Sequence, residues 1–192
     1  MSIPKAPEPA KLVIGLFMKE KRLIEKITAE FIEAFGSIDM VSPWFPFDYT
    51  DYYKPEMSAP LFRRMLAFKE LVRQNSLADI KTLTNKIELN YSREEKRLVN
   101  IDPGYMLKER FVLATGKNFT HRIYIGRKIY ADLTLIYTKG EFKKLPWTYP
   151  DYSNKNMLSF LIQVRKKYVV DLKREKNDKK HDRIFQGGKE QR

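Results

Sequence analysis

The spacing of apolar and polar residues changes several times along the chain, and each change predicts an element. Lys11 to Met18 (KLVIGLFM) is almost wholly apolar with β-branched residues, which predicts a buried strand. From Lys21 to Phe35, Leu23, Ile24, Ile27, Phe31 and Ile32 recur at three- and four-residue spacing, the stripe of an amphipathic helix. Gly36 supplies its stop, and Ile38 to Val41 predicts a second strand. Leu61 to Leu71 partly fits both periods; Phe62, Leu66 and Phe68 favour a strand. Asn75 or Ser76 then caps a helix to about Glu95, with Leu77, Ile80, Leu83, Ile87 and Tyr91 on its apolar face. Leu98 to Asp102 predicts a strand that Pro103-Gly104 ends, and Tyr105 to Thr115 fits no single period. Arg122 to Ile125, the turn Gly126-Arg127 and Lys128 to Tyr137 predict a hairpin, with a second turn at Lys139-Gly140 leading into Phe142. Asn154 to about Leu172 predicts the last helix.

Two segments follow neither period. Ser42 to Met57 (SPWFPFDYTDYYKPEM) and Leu145 to Tyr152 (LPWTYPDY) crowd prolines among aromatic rings. Such loops either pack down as a small second core or present rings for recognition. The order strand-helix-strand-strand-helix-strand is that of the split βαβ unit. The expected fold class is therefore α+β, a mixed or antiparallel sheet with helices mainly on one face. Its core would be ferredoxin-like, with an added hairpin and C-terminal helix. Residues 1–10 are expected to be a flexible leader, 11–172 a single domain, and 173–192 a basic charged tail, disordered or a frayed helix.

Composition narrows the choices. The 192 residues are 43% hydrophobic, enough for a core, and contain no cysteine. With no signal-like start and no apolar run near the ~20 residues of a membrane span, a cytoplasmic protein is expected. The net charge of +13 favours polyanionic partners such as a nucleotide or nucleic acid, although charge of this size also serves solubility alone. Arg/Lys outnumber Asp/Glu eleven to five over residues 163–192, so that stretch either follows phosphates or is a solvated helix end.

Familiar catalytic motifs are missing. Thr115-Gly116-Lys117 is the nearest approach to a phosphate-binding P-loop, but Phe111 stands where its first glycine belongs and Asn118 where its magnesium-binding hydroxyl belongs. Two histidines, His121 and His181, do not support an ordinary zinc site.

Less regular constellations remain. In the strand ending at Asp102, Asn100 and Asp102 share a face. In the hairpin, Tyr130, Asp132 and Thr134 share one face, while Ala131, Leu133 and Leu135 share the other. A mid-strand aspartate is costly unless solvated, paired or bound to a cation. With both strands in one sheet, these residues would line one polar patch, and Asp48 and Asp51 of the first aromatic loop would close over it. Asp102 and Asp132 are the candidate ligands for magnesium or manganese. The structural alternative is that they cap turns or pair with Arg110 and Arg122. His121 is a candidate general acid or base, with Arg122 to hold a phosphate, or else a hydrogen-bonded structural residue. Arg63 is a candidate anion ligand or half of an ion pair. Trp44 and Trp147 either stack on bases or fold their loops onto the sheet.

The strings VSPWFPFDYTDYY, VNIDPGYM, FVLATGKNFTHRIYIG, IYADLTLIY and LPWTYPDY resemble an uncharacterised bacterial and archaeal family, domain-of-unknown-function family 4416. The likeness runs from about Lys11 to Tyr168 and implies no particular activity or site residue. The residues leave three readings: a binding module for a nucleotide or RNA, a metal-dependent enzyme acting on a phosphate ester, and a scaffold or interaction protein.

Overall fold

The structure, a computed structural model, describes residues 1–94 and 96–187, with side chains as far as 178. Strand β1 (Ala10–Met18) is buried along its whole length and is the axis of the molecule. It is followed by α1 (Leu23–Phe35), β2 (Ile38–Val41), β3 (Phe45–Phe47), the single turn α2 (Lys54–Met57), β4 (Leu61–Val72) and α3 (Leu77–Asn90). Then come the small hairpin β5 (Ser92–Arg93) and β6 (Lys96–Arg97), β7 (Val99–Met106), β8 (Arg110–Thr115), β9 (Arg122–Gly126), β10 (Ile129–Thr138), β11 (Glu141–Lys144) and α4 (Lys155–Gly187).

Nine strands form one sheet in the order β11-β10-β8-β7-β1-β4-β2, with β3 continuing the β4 edge and β9 pairing β10. The inner order β7-β1-β4-β2, antiparallel throughout, is the split βαβ arrangement, so the core is ferredoxin-like as the element order predicts. Both crossover helices lie on one face. Leu12, Ile14, Leu16 and Met18 of β1 meet Ile27 and Phe31 of α1 and Ile80 and Ile87 of α3 there. The alternate residues face the other way, where Val13, Met65, Ala67, Met106 and Phe111 pack under α4. Met157, Phe160, Leu161, Val164, Tyr168 and Leu172 form the α4 stripe at three- and four-residue spacing. This double cover explains why β1 reads as a continuous apolar run.

Several elements differ from expectation. Helix α3 stops at Asn90, and its buried face carries Lys81, Thr84 and Glu88 beside Leu77, Ile80 and Ile87, leaving Leu83 towards solvent. Strand β7 does not end at Pro103-Gly104 but runs through it, and the undecided stretch after it is the β7–β8 turn and β8. The first aromatic loop contains β3 and α2. In β10 a bulge between Leu133 and Leu135 turns Leu135 to the face of Asp132 and away from Ala131 and Leu133. Helix α4 passes Leu172 and continues to Gly187; the rest of the expected tail lies outside the described residues. No helix among the described residues is long and apolar enough to cross a membrane.

Candidate functional site

Strands β7 and β8 pair only briefly. Their ladder joins Gly104–Met106 to Phe111–Leu113, after which β7 keeps β1 alone and β8 keeps β10 alone. Pro103 stands where they part, one residue beyond the last pair, and has no N–H to offer a neighbour. Gly104, the β7 residue paired with Leu113, leaves no room for a side chain, since a Cβ there would collide with the Val112 carbonyl oxygen. Helix α3 fills the fork. The Ile101 N–H donates to Glu88 Oε1 at 2.5 Å, and Lys81 Nζ donates to the Ile101 carbonyl at 2.6 Å. Two side chains thus replace the missing strand, which accounts for charged residues on the buried face of α3. Burial pushes the Glu88 carboxyl up, and Lys81 pulls it back.

A cleft of about 820 Å³ opens from this fork. Its floor holds Arg63, Asn100, Asp102 and Tyr152; Tyr49, Tyr52, Tyr53 and Tyr149 wall it; Lys117, Arg122 and Asp132 stand at its far end. Arg63 is 3% exposed. Its guanidinium is packed among the rings of Phe17, Phe47 and Tyr152 at 4.8–5.0 Å. Asp151 lies 3.0 Å from Nη1, and Asp102 lies 3.4 Å from Nη2. The Asp151 contact is close enough for an ion pair but is not aligned as a hydrogen bond. Burial pushes the Asp151 carboxyl up, against the pull of Arg63. Gly15 makes room overhead: a Cβ there would be 2.9 Å from both Tyr152 Oη and Met65 Sδ.

Glu56 of α2 accepts from Arg97 Nε at 2.6 Å and Nη2 at 2.8 Å, and this pairing holds the Glu56 carboxyl below the usual carboxylate range. Arg97 Nη1 donates to Asn100 Oδ1 at 3.0 Å, so Nδ2 is the Asn100 donor left over. Five buried polar atoms around the floor have no aligned hydrogen-bond partner in the protein: Arg63 Nε and Nη1, Asn100 Nδ2, Tyr152 Oη and Asp151 Oδ2. Buried polar groups are nearly always satisfied, and four of these five atoms are donors.

At the far end, each nitrogen of the Arg122 guanidinium has a partner. Nε donates to Asp132 at 2.9 Å, Nη1 to the Lys117 carbonyl at 3.0 Å and Nη2 to Tyr149 Oη at 3.0 Å. Lys117 Nζ donates to Tyr52 Oη at 3.0 Å, which ties the first aromatic loop to the loop after β8. That bond holds the Tyr52 hydroxyl below the usual phenol range.

The family model described as Domain of unknown function (DUF4416) matches residues 8–168. The chain belongs to this family. No curated protein and no solved structure matches it. Every cleft residue, from Phe47 to Tyr152, falls inside the DUF4416 span.

Of the residues singled out in the sequence, Arg63, Asn100, Asp102, Arg122 and Asp132 line this DUF4416 cleft together. Asp48 lines an adjoining hollow of about 310 Å³ that shares Tyr49, Arg63 and Asp151 with it. The others lie elsewhere. Trp44 packs towards α1 between Lys21 and Arg64. Asp51 is exposed and paired with Lys54 at 2.6 Å, Arg110 pairs with Glu109 at 2.9 Å, and Tyr130 packs on Tyr124. His121 stands behind Asp132, with Nε2 3.1 Å from its carboxylate, and stacks on Trp147, whose Nε1 donates to the Leu133 carbonyl. Asp102 and Asp132 are each engaged by an arginine, and among the described residues no three His, Asp or Glu side chains converge as metal ligands. Sequence reasoning missed Lys81, Glu88, Arg97, Lys117, Tyr149 and Asp151. Lys117 stood in the near-miss of a P-loop, Tyr149 and Asp151 in the second aromatic loop, and Lys81 and Glu88 left charges at helical spacing beside the apolar stripe of α3.

Proposed function

We propose that the cleft is a nucleotide-binding site. The observation that carries the reading is the floor beneath tyrosine walls: Arg63 and Asn100, whose buried Nε, Nη1 and Nδ2 groups lack an aligned acceptor, line the same cleft as Tyr49, Tyr52, Tyr53 and Tyr149. A nucleotide brings what such a space lacks, a flat ring to stack on phenol faces and oxygen acceptors for guanidinium and amide donors. The cleft volume falls in the range usual for small-molecule sites, ~300–1,000 Å³. Arg63, Lys81, Arg97, Lys117 and Arg122 line it against Glu88, Asp102, Asp132 and Asp151, so cations outnumber carboxylates by one.

Calorimetry and thermal melting with nucleoside mono-, di- and triphosphates test the proposal. A nucleotide at 100 times its Kd adds about 2.7 kcal/mol to stability, several degrees of Tm for a chain of this size. Lys117→Ala, at the exposed rim, should weaken binding about tenfold without lowering Tm. Absence of both heat and a Tm change with every nucleotide would remove the reading.

A further inference from the structure

The mouth of the cleft continues outward into exposed rings with cations set between them. Tyr52, Phe119 and Tyr149 are 64%, 62% and 51% exposed, unusual for rings within one small region. Lys117 Nζ lies 4.6 Å from the centre of the Tyr52 ring. Phe119 meets His121 edge-on at 5.5 Å, and His121 stacks on Trp147 at 4.7 Å and 11°. Arg122, bound to Asp132 and to Tyr149 Oη, stands between this group and Tyr149. Tyr52, Lys117, Arg122 and Tyr149 also line the cleft, so the space inside and the surface outside are continuous.

Flat exposed faces alternating with cations are the combination that holds single-stranded nucleic acid, because every base has a stackable face and every linkage a charge. A free mononucleotide would leave the outer rings unused. We propose that the cleft takes the terminal nucleotide of a single strand, RNA or DNA, and that the preceding bases stack along Tyr149, Phe119 and Tyr52 while Lys117 meets their phosphates. The proposal rests on the nucleotide reading of the cleft. It also assigns a role to ring surface that would otherwise carry an aggregation risk. The net charge of +13 provides the long-range attraction for such a strand.

Anisotropy measurements on the full chain with labelled short RNA and DNA strands, linear and circularised, set beside calorimetry with the free nucleotide, separate the possibilities. The linear strand should bind at least tenfold tighter than the nucleotide, and the circle, which has no end, should lose that gain. Phe119→Ala should weaken the linear strand about tenfold while leaving nucleotide affinity unchanged, because this ring lies outside the cleft. It removes no charge, so the dependence of binding on salt should keep its slope. Strand affinity that Phe119→Ala does not alter, or that is equal for linear and circular strands, overturns the proposal. So does sedimentation showing that Phe119→Ala abolishes self-association with no strand bound. Nucleotide binding without any gain for strands overturns this inference alone; failure of all nucleotides overturns the reading beneath it. The difference between RNA and DNA identifies which strand is preferred.

Discussion

Lys11 and Arg63 are both buried cations on the same face of the sheet, one near the start of β1 and the other across from its end. Lys11, under α4, is complete. Its ammonium donates to Asp39 and Asp171 at 2.9 Å and to the Phe68 carbonyl at 2.8 Å, one acceptor for each N–H. Arg63, at the open end, sits among three rings and two carboxylates, yet Nε and Nη1 have no aligned acceptor. One face thus carries two solutions to the same problem. Where a helix covers the sheet, the charge is closed off and ties β1, β2 and α4 together. Where β7 and β8 part, the charge keeps unused donors beside a cleft. The difference separates a buried charge whose donors are all used from one that keeps donors unused.

The sharpest way to break this comparison is to remove each charge site in turn. Lys11→Met removes the fully buried cation that Asp39 and Asp171 share, leaving them only the partly exposed Lys167, and should lower the unfolding free energy by about 3 kcal/mol in urea titration, with nucleotide affinity unchanged in the folded fraction. An equal loss of binding would mean that the two ends are one coupled unit. Gly15→Ala acts at the other end. Its methyl group meets Tyr152 Oη and Met65 Sδ, so a cost of about 2 kcal/mol is expected, together with weaker nucleotide binding as Tyr152 is displaced from the floor. Unchanged affinity in Gly15→Ala would take Tyr152 out of the site.

The two ends also differ in how far they could be read from the chain. The core was legible because short-range pattern and burial agree: KLVIGLFM reads as a buried strand and is buried along its length, and the stripe from Leu23 to Phe31 reads as a helix and is one. Asp132 was legible as a mid-strand charge, and its position in the cleft follows from β10 lying beside β8. The fork was not. Pro103-Gly104 reads locally as a strand end, whereas it marks the place where β7 leaves β8 and continues. Arg97 fell between the expected helix and the expected strand, and its task, linking Glu56 to Asn100, depends on a contact 41 residues away. Trp44 and Trp147 drew attention by size, but their rings meet Arg64 and His121 outside the cleft, and the smaller tyrosines beside them form its walls.

A smaller effect tests the charge balance around Arg63. Burial raises the Asp151 carboxyl above its ordinary value, so it takes up a proton while exposed carboxylates remain ionised. The folded state then holds that proton more tightly than the unfolded chain does, and the group's contribution to stability falls as pH rises through this window. For anion binding the sign is clear: protonating Asp151 leaves the Arg63 charge less compensated. Affinity for a dinucleotide, whose single phosphodiester keeps its charge throughout, should rise about threefold as pH falls from neutrality through the range in which Asp151 takes up its proton. Asp151→Asn should bind at the stronger level at both ends of that range. A slope that survives in Asp151→Asn would shift the effect to Glu88, which burial also raises.

The least disruptive change sharpens the comparison at the rim. Tyr52→Phe keeps the ring and removes only the hydroxyl that accepts from Lys117. Tyr52 is exposed, so the melting temperature should stay within error, in contrast to any change at Lys11. The bond joins two loops across the mouth of the cleft, and a ligand must pass beside it. Stopped-flow binding should therefore show faster association, severalfold, with little change in Kd, because entry and exit are freed together. If Tyr52→Phe instead weakens binding at an unchanged association rate, the hydroxyl contacts the ligand directly and the rim is part of the site. The covered end of the sheet has no such latch, since Lys11 lies beneath α4 with its three acceptors already in place.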